Sequence, residues 1–364
     1  MQIFTKLSIK NYIVNLFLSL LLFTFILLMD RVFQLVNLII NKGINPVEVL
    51  FLLFYSLPTI LSLTMPMGTA SAAILTFGQM ASSGEITALR TSGCTLKPII
   101  APVIFFTLLI SVLMFPFNYH TAPKAQFAFR RNFNKLAFKN PTVTFKEGSI
   151  LEFDSYTIFS HKIDRDAQLF HEIIIHKEPE EENEPALSIT ARTGKWATGS
   201  RGEITLTLYN GNIKHIDPDK PESLRSMNFS QHSLTFNEPD EQQTVSKNLI
   251  SMTGPEIREE IERLKSKDLN VDSISTRYYL RGSLAGAPLA LLLIGIPLGI
   301  RAESRGKTVG VGLSIITIAV YYFLMVGGLK SAFLGYIRPW LGVWFPNFLA
   351  GGTGIFLLSK SYRK

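Results

Sequence analysis

The sequence predicts an α-helical membrane protein with six transmembrane helices and one extracytoplasmic β-domain inserted between the third and the fourth. Three observations carry this expectation. Only 18% of the 364 residues are charged, against about 25% in soluble domains. Those charges are thin over residues 11–120 and 283–359 and dense between them, and the two thin regions hold six apolar stretches of spanning length. In the middle the pattern shifts to short β-branched and aromatic runs separated by turn signals.

A spanning helix needs about 20 mainly apolar residues, because the hydrocarbon core is about 30 Å thick and each residue rises about 1.5 Å. The first span is Ile13 to Met29. Lys6 and Lys10 precede it as in a signal peptide, but Asp30, Arg31 and Val32 stand where a small-residue cleavage site would be, so the helix is read as a retained anchor. The second span, Leu50 to Phe77, carries no charge and would measure about 42 Å if straight. It must tilt or kink, and Pro58 and Pro66 are the sites where a missing N–H and a steric clash would bend it. Its run Gly68-Thr69-Ala70-Ser71-Ala72-Ala73 has the small side chains of a close helix contact or of a surface that slides. Ile99 to Phe117 is the third span, and Leu284 to Ile300, Val309 to Val326 and Val343 to Leu358 complete the set. The expected domains are residues 1–140 with a cytoplasmic loop at 78–98, a β-domain at 141–250, a connecting amphipathic helix at 251–277, and spans four to six at 278–364.

Orientation follows from Lys and Arg in the short loops. With the N-terminus inside, Lys6, Lys10, Arg90, Lys97, Arg301, Arg305, Lys307, Lys360, Arg363 and Lys364 are cytoplasmic, and only Arg31, Lys42, Lys330 and Arg338 fall in short outer loops. Both termini are therefore expected in the cytoplasm, with the polar middle extracytoplasmic.

Within that middle, Tyr156 to Ile163, Glu172 to Ile175, Ile204 to Tyr209 and Ser226 to Phe236 read as strands, and Asn210-Gly211 as a hairpin turn. The pattern is compatible with a sandwich, a jelly roll or an open β-roll. The acidic run Glu178 to Glu184, between Pro179 and Pro185, reads as a solvated loop tip. Pro255 opens a helix with Ile257, Ile261 and Leu264 on one face, expected to lie at the surface and lead into span four.

Several chemistries are excluded. The net charge of +8 is dispersed at the ends of apolar runs rather than gathered on a soluble face, which points to the membrane surface and away from nucleic acid. Cys94, the only cysteine, permits no disulfide framework and has no histidine near it in sequence. His171-Glu172 with His176 has one residue too many for a zincin helix, and Ile173 to Ile175 favour a strand, so no metal site is expected. Arg305-Gly306-Lys307-Thr308 resembles the end of a P-loop, but Arg301 occupies the place of its first glycine and no strand precedes it. No cofactor and no catalytic residue are expected; the chain reads as a non-enzyme.

Two features carry function. The loop Ser82-Ser83-Gly84-Glu85-Ile86-Thr87-Ala88-Leu89-Arg90-Thr91-Ser92-Gly93 holds a short helix that Ser82 or Ser83 would cap and Gly93 would end. Glu85 complements its N-terminal dipole, and Ile86, Leu89 and Arg90 would project as a docking surface. A two-turn helix is marginal in water, so a partner or the membrane should hold it; spacing leaves a coupling helix and an interfacial loop open. The second feature is a helix from Pro123 to Asn140-Pro141, on which Lys124, Arg131, Lys135 and Lys139 form one basic stripe opposite Phe129, Phe133 and Leu136. Cations there either anchor the helix or face an anionic ligand.

The Ser83-Gly84-Glu85-Ile86 to Ser92-Gly93 loop, the Gly295-Ile296-Pro297-Leu298-Gly299-Ile300 end of span four, and the order of three spans, β-domain and three spans resemble the LptF/LptG (YjgP/YjgQ) permeases of the lipopolysaccharide exporter. The resemblance covers essentially the whole chain. It implies a periplasmic β-jellyroll-like domain, an LptF and LptG heterodimer on two copies of the ATPase LptB, and transfer of lipopolysaccharide to LptC and a periplasmic bridge. Glu85 matches the family's coupling-helix glutamate. Arg31, Arg130 and Arg131 lie near the family's basic residues that face lipid A phosphates. The rival reading is a membrane-anchored structural or signalling protein with a periplasmic β-domain and no ATPase partner.

Overall fold

The structure is a computed structural model, and it describes residues 2–42, 45–93, 95–139, 150–153, 156–164, 169–177, 186–198, 204–216, 224–236, 249–267, 269–301 and 307–362. The chain runs α1 (Gln2–Lys42), α2 (Pro46–Ser82), α3 (Glu85–Thr91), α4 (Lys97–Pro116), a π-helical turn (Phe117–Thr121) and α5 (Ala122–Lys139). Six strands follow, β1 (Ile150–Phe153), β2 (Tyr156–Asp164), β3 (Leu169–Lys177), β4 (Ala186–Thr198), β5 (Ile204–Ile216) and β6 (Leu224–Phe236). The chain closes with α6 (Gly254–Ser266), α7 (Asp272–Arg301), α8 (Lys307–Phe333) and α9 (Pro339–Tyr362). Cys94, the acidic run from Glu178 to Glu184, Asn140-Pro141, and Arg305 with Gly306 lie outside the described residues.

Six helical segments are long and apolar enough to cross a membrane: Phe4–Val36, Pro46–Ser82, Lys97–Phe133, Asp272–Arg301, Val309–Phe333 and Pro339–Lys360. Each contains one expected span or nearly all of it and runs on past the apolar core. Phe17, Phe105, Phe323 and Phe356 are each more than half exposed. Large apolar side chains exposed on this scale are unfavourable in water and ordinary against acyl chains.

The chain divides into two compact units. The first comprises Met1–Gln34, Leu53–Ala128 and Asn248–Lys364. Its central helix is α7, which packs against α4, α8 and α9 and fully buries Leu291, Leu292 and Ile296. The small-residue run of α2 is a helix contact: Ala70, Ala72 and Ala73 are fully buried. A Cβ added at Gly295 would lie 2.8 Å from Ala73 Cβ, and one at Gly299 would lie 2.7 Å from Ile74 O. Backbones this close require glycine on α7. A polar network joins the last three helices. Ser283 Oγ donates to Val343 O at 2.5 Å, Asn347 Nδ2 to Ser283 O at 2.8 Å, and Tyr321 OH to Asn347 Oδ1 at 2.8 Å. Each bond satisfies a polar group that hydrocarbon could not. Outside these spans, α6 is opened by a capping box between Thr253 and Glu256 and buries Ile257, the amphipathic helix the sequence predicted.

The second unit comprises Leu35–Leu52 and Phe129–Lys247. Its six strands form one antiparallel sheet in sequence order, β1-β2-β3-β4-β5-β6, and this is the inserted β-domain. Asn210-Gly211 is not a hairpin turn, contrary to the sequence reading. It lies inside β5, where Gly211 pairs with Ala191 on β4 and Phe229 on β6. Asn210 adopts φ 52°, and a Cβ on Gly211 would collide with the Phe229 ring and Thr190 O, so the pair makes a bend within the strand. That bend belongs to a line across the sheet. The pairs His161–Glu172, Glu172–Arg192, Arg192–Asn210 and Asn210–Ser230 are missing from ladders whose register is otherwise unbroken on both sides. Glu172, like Asn210, has positive φ. The inward-facing phase shifts there by one residue. On β3 Phe170 is buried before the line and Ile173 and Ile175 after it; on β4 the order is Ile189 and Ala191, then Gly194. The sheet is creased along this line and folds its apolar face inward, which accounts for the complete burial of Ile175 and Leu208.

Candidate coupling and anion sites

The coupling candidate is built from the end of α2. Ser82 Oγ donates to Gln79 O at 3.0 Å, a carbonyl in the last turn of α2, and the Ser83 hydroxyl turns to a side chain and not to the backbone of α3. The sequence reading had them capping α3. Instead Gly84 is the N-cap of α3, without a side-chain cap bond, at φ 76°, a left-handed conformation that costs glycine little. Its carbonyl accepts from Ala88 N at 2.8 Å, and Gly93, at φ 70°, closes the helix with its N–H on Arg90 O at 3.0 Å.

Ile86 and Leu89 do not project as expected. They are 3% and 7% exposed and sink into a cluster with Tyr12, Phe77, Met80, Leu96, Ile99 and Ile300. The reason lies in the marginal stability of a seven-residue helix: burying two side chains three apart, worth about 1.5–3 kcal/mol each, supplies from within the chain the support that had been assigned to a partner or the membrane. The exposed face is Thr87, Ala88, Arg90 and Thr91. At the start of the helix Ser83 Oγ donates to Glu85 Oε1 at 3.0 Å, and Glu85 Oε2 has no hydrogen-bond partner among the described residues. The arrangement offers a carboxylate and a guanidinium on a rigidly seated short helix.

The anion candidates lie on two helices. On α1, Arg31 Nη1 donates to Gln34 Oε1 at 3.4 Å and Gln34 Nε2 to Asp30 Oδ2 at 3.0 Å. Lys124, Arg130, Arg131, Lys135 and Lys139 lie on α5, which is helical throughout. At about 100° per residue Lys124, Arg131, Lys135 and Lys139 share a face, and Arg130 falls off it. Lys124 is exposed and Arg130 and Arg131 are half-buried; the side chains of Lys135 and Lys139 are outside the described set. Phe129 and Leu136 are buried, and the Phe129 and Phe133 rings stack at 5.9 Å.

His171 and His176 lie on the strand β3, and no group of three or more His, Cys, Asp or Glu able to hold a metal occurs among the described residues. Sequence reasoning missed a mainly apolar cavity of about 200 Å³ into whose lining Asn118, Gln126, Arg277, Arg281, Thr59 and Ser62 bring the polar groups. The available signal was Arg277 and Arg281, two arginines one helical turn apart just before span four.

Over residues 6–360 the chain matches the family model of the lipopolysaccharide export system permease LptF/LptG. No curated protein matches the chain.

Proposed function

We propose, from the premise that this chain belongs to the LptF/LptG permease family, that it is the permease subunit of an ABC transporter that extracts lipopolysaccharide and passes it to a periplasmic bridge. The family and the six apolar helices make it a multi-pass inner-membrane protein. The carrying observation is the match over nearly the whole chain, membrane helices and β-domain together.

In this reading both termini are cytoplasmic and the β-domain is periplasmic, in keeping with the Lys and Arg bias of the short loops. ATP hydrolysis belongs to a separate LptB-like dimer, and the chain pairs with a paralogous permease and an LptC-like protein. Seating of α3 supports the coupling role, because a push on Glu85 and Arg90 is passed through Ile86 and Leu89 into the core shared with Tyr12, Phe77 and Ile300. A charge pair with a basic residue of the ATPase is strongest where partly desolvated, and Glu85 Oε2 is already shielded. For the cargo, acyl chains gain about 0.8 kcal/mol per buried CH₂ and supply affinity, while arginine forks suit phosphates and set head-group height.

Photocrosslinking groups placed at Arg31 and Arg131 test the cargo assignment. They should capture lipopolysaccharide in cells, and Arg31→Glu with Arg131→Glu should weaken its binding while ATPase association through Glu85 persists. Absence of adducts together with unchanged binding would return the α5 stripe to ordinary membrane anchoring.

A further inference from the structure

The cavity beside the π-helical turn is used by neither the coupling nor the cargo reading. Its polar lining comes from α2 (Thr59 and Ser62), the π-turn and α5 (Asn118 and Gln126) and the first turns of α7 (Arg277 and Arg281), and Leu63, Leu280 and Leu284 supply apolar walls. A π-turn admits an extra residue and is frequent at functional sites. Here it aims two consecutive side chains at α7: Asn118 Nδ2 donates to Arg281 O at 3.2 Å and Tyr119 OH to Tyr278 O at 3.1 Å.

Asn118 is 3% exposed. Its donation to a carbonyl fixes which end of the amide is nitrogen, and its Oδ1 is left with no partner among the described residues. The same holds for Arg277 Nε. The Arg277 guanidinium carbon sits 5.4 Å from the centre of the Phe333 ring, which orients the plane of the group. Four residues on, Arg281 is pinned by donation to Met252 O at 2.7 Å and Ile250 O at 3.1 Å. Two cations thus line the cavity, and two of its lining residues each hold a shielded polar atom without a partner among the described residues, Arg277 Nε as a donor and Asn118 Oδ1 as an acceptor.

We propose that this cavity binds the head group of a membrane glycerophospholipid. The phosphodiester oxygen accepts from Arg277 Nε–H, and the ammonium of ethanolamine or a glycerol hydroxyl donates to Asn118 Oδ1. A phosphodiester bearing such a donor supplies both missing partners in one group, and the leucine walls receive its apolar attachment. The volume, about 200 Å³, is below that of pockets for drug-sized ligands, so the site takes a small head group and not the larger head group of lipopolysaccharide. It is a resident lipid site, separate from the cargo path.

The test uses the full chain purified in mild detergent, with phosphatidylethanolamine or phosphatidylglycerol added and bound lipid counted by native mass spectrometry. One retained lipid per chain is expected, with retention lowered at least tenfold in Arg277→Gln and in Asn118→Leu, and less in Arg277→Lys. Arg277→Gln decides, because it leaves Asn118's bond to α7 intact, and a cooperative melting transition shows that the variant folds. Lipopolysaccharide crosslinks from Arg31 and Arg131 should be unchanged in that variant, which separates this site from the cargo assignment. Equal retention by wild type and Arg277→Gln, or no retained lipid in wild type, overturns the proposal. Full displacement by millimolar inorganic phosphate or glycerol phosphate also overturns it, assigning the site to a free phosphate.

Discussion

Leu89→Ala is the sharpest perturbation of α3. The side chain is 7% exposed within the cluster that also holds Ile86, Phe77 and Met80, and a large-to-small change in such a site costs about 2–5 kcal/mol. Helix α3 has seven residues and is too short to persist unaided, so the cost falls on its seating rather than on the whole fold. At about 1.4 kcal/mol per factor of ten, the open population of α3 should rise by roughly 30-fold to several thousand-fold. Hydrogen–deuterium exchange of a peptide covering residues 83–93, with the protein in lipid nanodiscs, reads this opening directly. Arg90→Ala is the control: Arg90 is exposed, and such changes usually stay within about 0.5 kcal/mol. Exchange in Leu89→Ala equal to wild type, or an equal rise in Arg90→Ala, would refute the claim that the chain's own core holds the helix.

Two further outcomes follow from the packing and the loop charges. Gly299→Leu should destabilise the bundle severely, since even a Cβ there would approach Ile74 O to 2.7 Å, whereas Gly312→Leu, with open space around it, should be tolerated; thermal melting in detergent compares them. Protease added to intact spheroplasts should cut the β-domain and spare a C-terminal tag, and the opposite pattern would reverse the orientation drawn from the loop charges.

How much of this was legible in the sequence depended on the physics each signal reports. Spans were readable because lipid imposes length and apolarity on every one of them, so Ile13 to Met29 and Leu284 to Ile300 could be found residue by residue. Asn210-Gly211 misled, because the same left-handed preference that makes a hairpin also serves a crease, and only the partner strands reveal which. The crease also shifts the inward phase between Phe170 and Ile173, so alternation cannot be extended along a whole strand. Ile86 and Leu89 looked like a docking face because their spacing fits one; spacing does not say whether the apolar face meets a partner or the chain's own core. Asn118 carried no signal at all, since its meaning comes from a π-turn and from α7, more than 150 residues later.

The central claim, that this chain is the permease of an ATP-driven lipopolysaccharide exporter, is tested most directly by purifying the tagged full chain from membranes in mild detergent and identifying what accompanies it in stoichiometric amount. An ATPase and a second permease of the same family should copurify, with the ATPase depleted in Glu85→Ala while the second permease remains. A chain that emerges alone, or one whose ATPase is retained in full by Glu85→Ala, would contradict the account.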